Sequence, residues 1–120
     1  MASLIEQMQG ELAPRPTRYR IAFHDPLAPG EPLKIIAPAP RFMSVLMHGG
    51  VVPRVRVIGD TPDGKPILDG SGEVMGAMSE EEAVDFVRWK DVPPAANRWA
   101  ILTVDDIPKD RTFRQAWELA

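Results

Sequence analysis

The chain is 120 residues long, 44% hydrophobic and 26% charged, the proportions of one soluble domain large enough to bury a core without staples. It contains no cysteine, which excludes disulfides, a thiol nucleophile and cysteine-based zinc or iron–sulfur sites. Its net charge of −3 and isoelectric point near 5.3 supply no global basic field for nucleic acid or an anionic membrane.

Thirteen prolines, about twice the usual share, predict short elements joined by rigid, extended loops, because proline fixes φ and removes a donor. The opening MASLIEQMQG has neither the basic start nor the long apolar core of a signal peptide. Residues 3–9 predict a short helix, with Ser3 and Glu6 as a capping box and Gly10 at its end. Leu4, Ile5 and Met8 form an apolar stripe at helical spacing. A helix this short is marginal alone, so the stripe needs a surface, on its own chain or on a neighbour. With the extended APRP (13–16), residues 1–16 read as an N-terminal arm.

Residues 18–24 and 33–37 predict two strands that pair as a hairpin around the turn-rich LAPGEP. RFMSVLMH (41–48) predicts a short helix, with Pro40 in its first turn and Gly49 in the left-handed position behind it. Arg54 and Arg56 alternate with Val55 and Val57 as in a half-exposed strand over 54–58. Asp63-Gly64 marks a turn, Ile67-Leu68 a return strand, and 71–76 a loop. Residues 51–73 thus read as a hairpin excursion.

Ser79-Glu80-Glu81-Glu82 opens a helix. Ser79 caps free amides, Glu82 reaches back, and the acids suit the positive end of the helix dipole. Ala83, Phe86 and Val87 form its buried stripe, and Val92-Pro93-Pro94 stops it. RWAILTV (98–104) is apolar enough to predict a central strand, which Asp105-Asp106 ends. Asp110 caps a last short helix with Phe113, Ala116 and Trp117 on one face. The predicted fold is α+β: a small, mostly antiparallel sheet with two or three short helices and an extended N-terminal arm, the single domain spanning 17–120.

The sequence holds no assembled chemistry. It has no G-x-G-x-x-G, no Walker A loop and no G-x-S-x-G elbow. His24 and Asp25 are neighbours on a strand, so their side chains point to opposite faces. His48 suits a helix C-terminus as a cation. Asp105, Asp106 and Asp110 could meet a hard cation but match no EF-hand loop; strand termination and capping account for them more simply. Arg15, Arg18, Arg20, Arg41, Arg54 and Arg56 are dispersed, and with Tyr19 and Phe42 they make only a weak nucleic-acid signature. Charged residues on strand edges also block aggregation, and a contact with an acidic protein surface is an alternative use of the same arginines. The six methionines read as gap fillers of a core or loop. Charge is uneven: residues 1–60 carry seven Lys and Arg against five acids, and residues 61–120 seven against twelve.

In DIPKDRTFRQAW (106–117), Phe113 and Trp117 form an i, i+4 aromatic pair that can anchor the chain end. Arg111 and Arg114 are left to meet acids, of this chain or of a partner. The block MSEEEAVDFVRWKDVPPAANRWAILTVDDIPKDRTFRQAW (78–117) resembles a group of small proteins of tailed bacteriophages and prophages. Their pattern is an acidic-capped helix, a K-D-V-P-like break, a strand, and a D-x-P-x-D-R-T-F-R-x-A-W close. RIAFHDP and KIIAPAP resemble their opening. The arm and the excursion at 51–73 depart from that pattern. Many members continue past the tryptophan into a basic helix, whereas three residues follow Trp117 here. The resemblance implies a phage setting, often near tail or tail-fibre genes, and no defined activity.

The expectation is a non-enzymatic phage structural or assembly protein, in the virion or the host cytoplasm. Its partners would be other phage structural proteins or further copies of the chain, with no cofactor, metal, nucleic acid or membrane. Leu4, Ile5, Met8, Arg54, Arg56, Arg111 and Arg114 are the expected partner-binding residues. The alternative is a small phage inhibitor of a host defence protein.

Overall fold

The computed structural model describes residues 4–25, 33–96 and 98–106. Its elements in chain order are helix α1 (Leu4–Glu11), strands β1 (Tyr19–Phe23) and β2 (Lys34–Ile36), helix α2 (Pro40–His48), strands β3 (Arg56–Asp60) and β4 (Pro66–Asp69), helix α3 (Glu80–Asp91), strand β5 (Trp99–Thr103) and a 3₁₀ turn (Val104–Asp106). The strand pairs are antiparallel, so the chain is α+β with small sheets and short helices. The helix expected behind Asp110 lies outside the described residues. By its contacts the chain divides into two compact units, one of Arg18–Ala37 with Val92–Ala120 and one of Met1–Thr17 with Pro38–Asp91. The residues expected as an arm thus fall in the unit that holds α2 and α3.

In the first unit β1 is the middle strand, in the order β2-β1-β5. Ala22 pairs with Ile35 on one side and Ala100 on the other. Side chains alternate along a strand, which puts Ala22, Ile35, Ala100 and Leu102 on one face, where they cluster with Leu33. Ile21 and Phe23, on the opposite face of β1, are also buried. A middle strand buried on both faces reads as a continuous apolar run, not as an alternation. Strand β5 was expected in the middle but forms the edge among the described strands, with Trp99 41% exposed. Apolar content reports how a strand's faces are covered, not whether both of its edges are paired. Val104 N–H donates to Arg18 O (2.8 Å), and Asp106 Oδ2 accepts from Thr103 N–H (3.1 Å) and its hydroxyl (3.0 Å), closing the strand as the sequence predicts.

In the second unit, α2 contributes Met43, Val45 and Leu46 to the core, and α3 contributes Ala83, Val84, Phe86 and Val87. Burying each large aliphatic or aromatic side chain stabilises by about 1.5–3 kcal/mol. The capping box of α3 is reciprocal: Glu82 N–H donates to Ser79 Oγ (3.2 Å) and Ser79 N–H to Glu82 Oε1 (3.0 Å). Helix α1 packs on α2. Arg41 Nη1 donates to Gln9 O (2.8 Å), Arg15 N–H to Pro40 O (3.0 Å), and the buried Ser44 hydroxyl to Ala13 O. Residues 9–15 are therefore tied along α2. Behind α2, Gly49 has φ +81° and ψ 171°, not the left-handed helical geometry expected. A Cβ there would lie 2.2 Å from Ala77 N and 2.5 Å from Gly76 C, so close backbone approach as well as positive φ requires glycine.

Candidate functional site

Strand β3 begins two residues later than its alternating pattern suggests, at Arg56, and pairs with β4 with a register shift between Val57 and Gly59. The turn joining them is closed by Thr61 N–H to Lys65 O (2.8 Å) and Gly64 N–H to Thr61 O (2.9 Å). The exposure is the reverse of a hydrophobic-in strand. The Arg56 side chain is only 21% exposed, whereas Val57 is 53%, Ile58 44%, Ile67 40% and Leu68 60% exposed.

Trp89 is the cause of that inversion. The Arg54 and Arg56 guanidinium carbons lie 4.7 and 4.8 Å from the centroid of its ring, and Phe86 braces the ring at 5.9 Å. A guanidinium over an indole face is favourable by about 0.5–2 kcal/mol, depending on desolvation. Asp69 Oδ2 accepts from Arg56 Nε (3.1 Å) and Nη2 (3.0 Å), which offsets the repulsion between two neighbouring cations. Gly70, at φ +128°, is packed so closely that a Cβ would meet Arg54 O at 2.1 Å and the Trp89 ring at 3.0 Å. The stack thus locks the base of the hairpin onto α3. Trp89 carries no mark in the sequence that separates it from an ordinary surface aromatic.

Of the expected partner-binding residues, the structure brings Arg54 and Arg56 together on Trp89. Leu4, Ile5 and Met8 sit on α1: Leu4 is 57% exposed, and Ile5 and Met8 are half-buried where α1 packs on α2. Arg111 and Arg114 lie outside the described residues. Of the other cations considered for nucleic acid, three are engaged locally. Arg18 pairs with Asp105, Arg20 donates to Tyr19 O (2.7 Å), and Arg41 to Gln9 O as above. Phe42 stacks under Lys90 Nζ at 5.4 Å.

The histidines stand apart from any cluster. His48 Nδ1 donates to Gly49 O (3.0 Å). His24 Nε2 is buried and has no hydrogen-bond partner among the described residues. Among those residues no group of three His, Asp or Glu converges as metal ligands. No described helix is long and apolar enough to cross a membrane.

One feature escapes sequence reasoning altogether. Residues 72–75, read as loop, run antiparallel to 50–54: Arg54 N–H donates to Glu73 O (2.9 Å), Met75 N–H to Val52 O (2.9 Å) and Gly50 N–H to Met75 O (2.7 Å), with Pro53 opposite Val74. Gly50 and Pro53 in one segment and Gly72 in the other hide this pairing from any period-two pattern. A groove of roughly 330 Å³ follows its outer segment, between Arg54 and Glu82.

In comparisons with known proteins, no family model, no curated protein and no solved structure matches this chain.

Proposed function

We propose that this chain is a non-enzymatic bacteriophage structural or assembly protein, associated with the virion or its tail, that works through protein–protein contacts. The observation that carries the reading is the β3–β4 hairpin, on which Val57, Ile58, Ile67 and Leu68 are each at least 40% exposed. A two-stranded hairpin cannot bury its own apolar side chains, and clustered exposed aliphatics mark interaction surfaces. The resemblance of residues 78–117 to small phage proteins supplies the setting. The partners are other phage structural proteins or further copies of the chain. Arg54 and Arg56 hold the hairpin from behind through Trp89, and Arg111 and Arg114 belong to the same reading as further contacts. No cofactor or nucleic acid enters it.

Mass spectrometry of purified phage particles, with capture from infected cells on the tagged chain, tests this. Tail or head proteins on the bait support the reading. A single host enzyme as the captured partner, with the chain missing from particles, would sink it in favour of the inhibitor alternative. The double variant Val57→Ser, Leu68→Ser should lose the phage partner while keeping the thermal midpoint, since neither side chain contributes to the core.

A further inference from the structure

We infer that β5 is a self-pairing edge, through which two copies of the chain join antiparallel and extend the order β2-β1-β5 into one continuous sheet. This goes beyond the hairpin reading and does not depend on it. The pairing within the sheet fixes which groups are open. His24 N–H donates to Arg98 O (3.1 Å) and Val104 N–H to Arg18 O (2.8 Å). Both pairs lie in the register that sets Ala22 against Ala100 and Arg20 against Leu102. Bonded pairs alternate with non-bonded ones along an antiparallel ladder. Ala100 and Leu102 therefore bond β1, while Trp99, Ile101 and Thr103 turn their peptide groups outward. Thr103 agrees with this phase, because its N–H goes to Asp106 Oδ2 (3.1 Å) and not to β1. The Ile101 N–H and C=O have no partner among the described residues.

The two outer strands of this sheet are built differently. Strand β2 has three residues, KII, and carries Lys34, a short charged edge of the kind that resists pairing. Strand β5 has five residues, WAILT, without charge, proline or glycine, and Trp99 is 41% exposed. An uncharged apolar edge is a template for another strand. The same composition makes β5 read as an interior strand from sequence, and in the paired sheet it is one.

The occupant is a second copy because the edge complements itself. A twofold axis at Ile101 makes the two Ile101 residues a bonded pair, each N–H donating to the other's C=O. Trp99 then lies across from Thr103 of the second copy, and the ladder stops there, since Asp106 already holds the Thr103 N–H. Charge agrees with the same axis. Arg98 precedes β5, and Asp105 and Asp106 follow it, all three exposed. Asp105 pairs with Arg18, whereas Asp106 bonds only the neutral N–H and hydroxyl of Thr103 among the described residues. One negative charge is thus left at that end. Antiparallel pairing brings the cationic end of each strand to the acidic end of the other, and in-register parallel pairing would set like charges together.

The test uses the whole chain. Sedimentation velocity between about 1 μM and about 1 mM should pass from monomer to dimer. Amide exchange followed by NMR over the same range, a measurement that needs no variant, should slow at Ile101 by at least about tenfold. The Ala100 and Leu102 amides, already bonded to β1, should change less. Ile101→Pro removes a donor that β1 does not use, at a place where an edge strand tolerates proline. It should abolish the dimer and keep the far-ultraviolet circular dichroism spectrum. Leu68→Lys, on the β3–β4 hairpin, should leave the dimer intact. A chain that stays monomeric up to about 1 mM would overturn the inference. So would a dimer that survives Ile101→Pro, or one that Leu68→Lys dissolves, which assigns association to the hairpin. Slow exchange at Ile101 in the dilute monomer would overturn it too, because the edge is then covered within a single chain.

Discussion

Gly49 and Trp89 show how two single residues settle the shape of one unit. Gly49 combines φ +81° with a backbone neighbour where its Cβ would be. Positive φ alone costs a non-glycine residue about 1–3 kcal/mol, and the overlap with Ala77 N has no flexible side chain to relieve it. Gly49→Ala should therefore lower stability by more than about 2 kcal/mol in urea titration, and should raise amide exchange at Met75 and Met78. A loss below about 0.5 kcal/mol would mean that the 76–77 peptide moves aside freely. Trp89 works through two cations. Trp89→Ala should destabilise by about 1–3 kcal/mol. A double-mutant cycle between Trp89→Ala and Arg54→Ala should give a coupling of about 0.5–1 kcal/mol. Zero coupling would reduce the stack to simple contact. The exposed Arg18–Asp105 pair, by contrast, adds little, as surface ion pairs do.

Among the elements, α3 was the most legible. Its capping box, its acidic first turn and its stripe of Ala83, Phe86 and Val87 all stand as the residues predict, because helix caps and helical periodicity are local properties. Ser79→Ala should cost about 1 kcal/mol and fray the first turn of α3, which far-ultraviolet circular dichroism with urea titration measures. No change would mean that water replaces the cap. The strands were legible as strands, but their environment was not. Val57 reads as an inward position of β3, yet it is exposed and Arg56 takes the sheltered place, because Trp89, 33 positions along the chain, offers its ring face. The bridge between Pro53 and Val74 was illegible for a related reason: it joins two segments whose glycines and proline show no strand period.

At the scale of the whole molecule, exposed aliphatics and modest net charge act together. With −3 at neutral pH and an isoelectric point near 5.3, electrostatic repulsion between copies fades as the solution is acidified towards that value. Light scattering should then rise to a maximum near pH 5.3. Leu68→Lys should lower that maximum by breaking the apolar face of the hairpin. Scattering that stays flat across pH would show that the hairpin surface does not drive self-association.

The amino-acid order by itself determined the helices and named strands over the described residues, the capping of α3, the turn between β3 and β4, and the α+β class. Each depends on residues within a few positions of one another, through caps, turns and side-chain period. Tertiary structure alone decided that β1 and not β5 is the middle strand, that residues 9–15 lie bound along α2, that two arginines share one tryptophan, and that Pro53 and Val74 face each other across a bridge. These outcomes depend on which distant segments meet. Apolar content and local period specify that a surface must be covered, and only the fold specifies what covers it.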